Sequence, residues 1–116
     1  MREEWIENIQ EHILSYGFQE TDDGRYEIVS VVQQPGQTIS INGRVMQQEG
    51  KKIEIKHLVT LMGDGWISNE GDSDKEDFTQ IKFESYQDDK LVMEYEEAFY
   101  WDDINYFKNI FNRIFE

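Results

Sequence analysis

The chain has 116 residues, 25 of them acidic against 11 basic, for a formal net charge of −14, and it contains no cysteine. That balance argues against direct contact with nucleic acid or an anionic membrane, since both need a basic patch; the lack of cysteine excludes a disulfide framework or a thiolate site. One domain over residues 1–116 is expected, able to bury about two thirds of its unfolded surface without staples.

From Arg2 to Tyr16, the residues Trp5, Ile6, Ile9, Ile13 and Tyr16 recur at helical spacing, and Glu3 and Glu4 suit the positive end of a helix dipole. Gly17 fits the left-handed position after a helix, with Phe18 following in a Schellman-type ending. No apolar leader core opens the chain and no run approaches the roughly 20 apolar residues of a membrane span, so a soluble cytoplasmic protein is expected.

Tyr26 to Val32 carries β-branched residues at both parities, which predicts a strand covered on more than one side. Pro35-Gly36 reads as the centre of a type II turn. Thr38 to Gln47 has two readings: one long strand with a bulge at Gly43, which its length favours, or a tight hairpin about Asn42-Gly43. Gln48-Glu49-Gly50 then turns the chain into Lys52 to Met62, expected as the central strand, with Ile53, Ile55, His57, Val59 and Leu61 on one face. Gly63-Asp64-Gly65 is read as its end. Phe78 to Tyr86 and Leu91 to Tyr95 form a hairpin about Gln87-Asp88-Asp89. The clearest amphipathic pattern closes the chain: Asp102 or Asp103 can cap a helix that buries Ile104, Phe107, Phe111 and Ile114. The expected fold is α+β, with an N-terminal helix, an antiparallel meander of about five strands, and a C-terminal amphipathic helix packed on the sheet. If both helices cover one face, the other keeps part of the apolar set Val29, Val31, Leu58, Met62 and Ile67, which favours strong curvature or a homodimer through that face.

Catalytic signatures are missing. His12 and His57 stand on different elements without HxxxH or HxH companions, and His57, between Ile55 and Val59, reads as a histidine on a half-buried strand. Asp72, Asp74 and Glu76 alternate like oxygen ligands, but Asp77 stands where a calcium loop needs glycine and Phe83 where it needs an acid. No Walker loop, dinucleotide fingerprint or GxSxG elbow occurs, so the expectation is a protein with no enzymatic activity, cofactor or metal.

What remains is the uneven acidity. Residues 69–103 alone carry a net charge of −10, while residues 104–116 carry +1. Glu70, Asp72, Asp74, Glu76 and Asp77 occupy one loop, followed by Asp88, Asp89, Glu94, Glu96, Asp102 and Asp103, with Tyr100 and Trp101 as aromatic anchors. On a strand Glu94 and Glu96 point the same way about 6.6 Å apart, on the order of phosphate spacing. The expectation is an acidic protein-binding module that docks on a basic surface of a nucleic-acid-handling partner. In size, acidity and lack of motif it resembles, as a class, the small toxin-immunity and anti-defence inhibitors. The alternatives are a small-molecule pocket between sheet and helices, lined by rings such as Trp5, Phe83, Tyr95 and Phe107, and a dimeric secretion-chaperone-like protein with an apolar groove.

Overall fold

Helix α1 (Arg2–Ser15) buries Trp5, Ile9 and Ile13, three of the five positions its periodicity aims inward, while Ile6 and Tyr16 are partly buried against the same core. It stops where Gly17 takes a φ of +98°, a conformation that costs glycine nothing. Helix α2 (Ile104–Phe115) begins where the Asp103 carboxylate accepts a hydrogen bond from the Tyr106 N–H at 3.1 Å, and it buries Phe107 and Phe111. The two helices lie against each other through rings, with Tyr16 and Phe111 centroids 4.9 Å apart and Trp5 and Phe107 6.1 Å apart. Asn112 joins them with its side-chain oxygen, 2.5 Å from the Tyr16 hydroxyl and 2.9 Å from His12 Nε2. The computed structural model describes residues 2–68 and 75–116.

Both helices cover one face of a five-stranded antiparallel sheet ordered β1-β2-β5-β6-β7, so the fold is α+β. The strands are β1 (Gln19–Glu20), β2 (Tyr26–Gln33), β5 (Lys52–Ser68), β6 (Lys75–Gln87) and β7 (Lys90–Tyr100). Strand β5 is central, as its alternation predicts. Val59, Ile81, Phe83 and Phe99 point to the helices and are fully buried. The chain does not stop at Gly63-Asp64-Gly65, as expected from the glycines; a register shift between Leu61 and Gly63 absorbs the irregularity and β5 continues to Ser68. The two-residue β1 is legible only from its pairing with Tyr26 and Glu27.

The largest departure from expectation lies between β2 and β5. Strands β3 (Gln37–Ile41) and β4 (Arg44–Gln48) form a separate two-stranded ribbon. Asn42 and Gly43 have φ of +51° and +78°, the left-handed pair of a two-residue hairpin turn, so the favoured bulge gives way to the tight hairpin. Pro35-Gly36 is not a type II turn either, because Gly36 lacks the positive φ that turn requires. Pairing pauses there and resumes without a slip: Gln33 faces Lys52, and four residues further on Gln37 faces Gln48. Gln48-Glu49-Gly50 likewise does not turn but runs straight back. Thus β2, β3, β4 and β5 form one long hairpin that leaves the sheet as an arm.

The other strands end where the arm begins. At the β6–β7 turn the Asp88 N–H donates to the Glu54 carbonyl at 2.9 Å, and the Glu54 N–H donates to Asp88 Oδ1 at 3.0 Å. Beyond Glu54 only two strands remain. The far end of β2, expected to be covered, is therefore exposed, with Val31 and Val32 opposite Glu54 and Ile53 at 63% and 45%, while Val29, opposite Lys56 on the open face of the sheet, stands at 48%. The arm accounts for a radius of gyration of 20.4 Å and extents of 78 × 29 × 22 Å, where a compact chain of this length would have a radius of about 13 Å.

Candidate functional site

The candidate surface is the face of the sheet that the helices leave open. Register places Glu27, Leu58, Glu84 and Glu94 in one row across β2, β5, β6 and β7, with Lys82 and Glu96 in the next. Leu58 is nonetheless only 5% exposed, flanked by the stems of Glu27 and Glu84. Glu84 stands directly opposite Glu94, a like-charge pairing that destabilises a sheet. Lys82 relieves it. Its Nζ lies 3.1 Å from Glu94 Oε1, and Glu94, followed by Glu84 and Glu96, holds the ammonium above its ordinary pKa. Tyr86 donates its hydroxyl to Glu84, which raises the phenol's pKa, and Lys56 Nζ sits 5.3 Å from the centre of the Tyr86 ring.

The acids expected to form one patch are strung along β7. Asp88 and Asp89 stand at the turn before it, Glu94 and Glu96 on its open face, and Asp102 and Asp103 beyond its end. At about 3.3 Å per residue the two ends of that series lie on the order of 35 Å apart. Asp103 is the cap of α2, and Trp101 is half-buried with its indole N–H on Thr79 Oγ1 at 2.9 Å, so both hold the fold. Tyr100 packs against Phe78 on the open face, centroids 5.9 Å apart. Asp77 is exposed, and its carbonyl accepts from the Trp101 N–H at 2.9 Å. Glu70, Asp72 and Asp74 lie outside the described residues, as does the side chain of Glu76.

Two features escape a reading by spacing alone. Glu84 joins the acidic face only once the β6–β7 register is known. His57 Nδ1 lies 2.6 Å from Ser85 Oγ, with the Phe115 ring 5.0 Å from the imidazole, and burial pushes the imidazole's pKa down. That pair lies beneath the helix layer, with Ser85 only 7% exposed and no carboxylate bonded to the imidazole among the described residues. Between sheet and helices the rings interlock: Phe83 meets Phe99, Phe111 and Phe115 with centroids 5.9–6.4 Å apart. A wide depression instead opens at the root of the arm, about 740 Å³, lined by Gln33, Gly36, Gln48, Gly50 and Lys52 among others.

No helix among the described residues is long and apolar enough to cross a membrane. No protein-family model, curated protein or solved structure matches this chain.

Proposed function

We propose that the chain is a non-catalytic binding module, acting in the cytoplasm, that docks the open face of its sheet on a basic surface of a macromolecular partner. The observation that carries this reading is the confrontation of Glu84 with Glu94 on an uncovered face, with Glu96 beside them and Lys82 bridging to Glu94. A sheet built for stability alone gains nothing from directly opposed carboxylates; a surface built to receive cations does. Such a module suits an inhibitor or immunity protein that blocks the basic groove of a nucleic-acid-handling partner.

A fluorescent oligolysine peptide titrated with the protein at low salt tests the reading. Binding is expected to weaken with added salt. Replacing Glu84, Glu94 and Glu96 by glutamine should weaken it about tenfold, at about 0.5 kcal/mol for each exposed contact. Equal affinity in the triple variant would sink the proposal.

A further inference from the structure

The arm from Gln33 to Lys52 differs from the rest of the molecule in charge. It carries Arg44, Lys51 and Lys52 against Glu49, a net of +2, which leaves 24 acids and eight bases elsewhere and a net of −16. Register also makes it amphipathic: Ile39 faces Met46 and Ile41 faces Arg44, so these four side chains share one side. Ile41 and Met46 are each 52% exposed. A two-stranded ribbon is marginal in water by itself, and this one offers an apolar strip with a cation at each end.

We infer that the arm binds the open face of a second copy of this chain, in a two-fold dimer in which each arm lies along the other copy's sheet. This rests on the reading of that face as a cation-receiving surface and names one occupant for it. The spacings agree. Arg44, at the start of β4, and Lys52, at the start of β5, are eight residues apart along the same leg of the long hairpin, about 26 Å, and Asp89 and Glu96 are seven apart, about 23 Å, at about 3.3 Å per residue. With the copies antiparallel, Lys51 and Lys52 fall near Asp88 and Asp89, and Arg44 reaches Glu94 and Glu96. Arm-on-arm pairing is disfavoured because both arms are positive. A single two-fold axis closes the assembly and leaves no arm free to recruit a third copy.

Sedimentation velocity on the full chain over a concentration series, at low and high salt, is the test. A dimer that weakens as salt rises is expected. Arg44→Glu/Lys51→Glu/Lys52→Glu should be monomeric, with at least a tenfold weaker association, and so should Glu94→Lys/Glu96→Lys. Mixed together, the two variants should dimerise, because each acidic arm then meets a basic face and each basic arm an acidic one. Circular dichroism confirms that each variant is folded; should the face variant fail to fold, Arg44→Glu alone followed across the salt series replaces it. A monomeric parent at about 100 μM, a dimer that survives the arm reversals, or a mixture that stays monomeric overturns the inference. Oligolysine binding to the parent separates the two ideas should it prove monomeric: binding that the Glu84, Glu94 and Glu96 glutamine variant weakens leaves the acidic face standing without the dimer, and no binding removes both.

Discussion

Gly50 lies directly against the carbonyl of Gln34, so closely that a methyl group on Gly50 would be driven into that oxygen and the adjoining Pro35 backbone. Gly36 stands in the same relation to the Gln48 carbonyl. The arm therefore leaves the sheet through a crossing that only two glycines permit. A proline with no N–H to donate sits in the same gap. Gly50→Ala is expected to displace the arm while sparing the core, since Gly50 makes no contact with the buried cluster. Amide exchange in residues 37–48 should rise at least tenfold with the melting free energy changed by less than about 1 kcal/mol. Self-association should fall with it. Unchanged exchange in the arm would show that the crossing tolerates a side chain.

Thr79 is a buried polar junction that joins α1, β5 and the end of β7. Its hydroxyl accepts the indole N–H of Trp5 at 3.2 Å and that of Trp101 at 2.9 Å, and donates to Asp64 Oδ1 at 2.9 Å. Arg2 completes the chain by pairing with Asp64. Three hydrogen bonds use the full capacity of one hydroxyl. Thr79→Val keeps the shape and removes the acceptor, leaving the buried Trp5 N–H unpaired, at an expected cost of about 1–3 kcal/mol. Thr79→Ser, which retains the oxygen, should cost distinctly less. Denaturant melts of the two variants check this, and equal losses would assign the effect to packing alone.

Periodicity disclosed the helices and the central strand because each turns a single apolar stripe or row toward the core. Trp5, Ile9, Ile13, Phe107 and Phe111 are buried as spaced. Register was hidden, because no local pattern tells Glu84 that it will face Glu94. The arm was hidden for a different reason. Val29, Val31 and Val32 carry the composition of covered strand, yet nothing among the described residues covers them. Composition records that a strand is apolar on both sides, not whether the rest of the chain folds over it. The glycine signals misled in the same way: Gly36 and Gly50 mark a close crossing of two backbones and Gly63 a register shift, where composition alone suggests turns.

The turn between β6 and β7 holds two aspartates in a left-handed conformation, Asp88 at φ +47° and Asp89 at +65°. Asp88 is bonded twice to Glu54 and has a reason to be there. No side chain among the described residues bonds Asp89 in the way Glu54 holds Asp88, and glycine suits its position in a two-residue hairpin. Asp89→Gly is expected to stabilise the fold by about 0.5–1 kcal/mol, relieving strain and a like charge beside Asp88. The melting temperature should rise by about 3 °C. The mirror experiment, Gly43→Ala at φ +78°, should make the arm tip less ordered.

His57 provides a pH signature of the packed helix layer. Burial among Ser85 and the Phe115 ring lowers its pKa beneath the ordinary 6.5, so the folded chain holds this imidazole neutral where the unfolded chain has begun to protonate it. The unfolded state then binds more protons, and the His57 contribution to stability is intact above the unfolded value. It is lost as pH falls from about 6.5 toward the depressed folded pKa. Comparing the parent with His57→Gln isolates the imidazole, because every other titrating group is common to both. Glutamine retains a hydrogen-bonding group for Ser85. The stability difference between the two chains should be constant above pH 7 and shift toward the glutamine variant between pH 6.5 and 5. A difference that stays flat across that interval would mean that His57 protonates in place and that the Phe115 end of α2 yields to admit water.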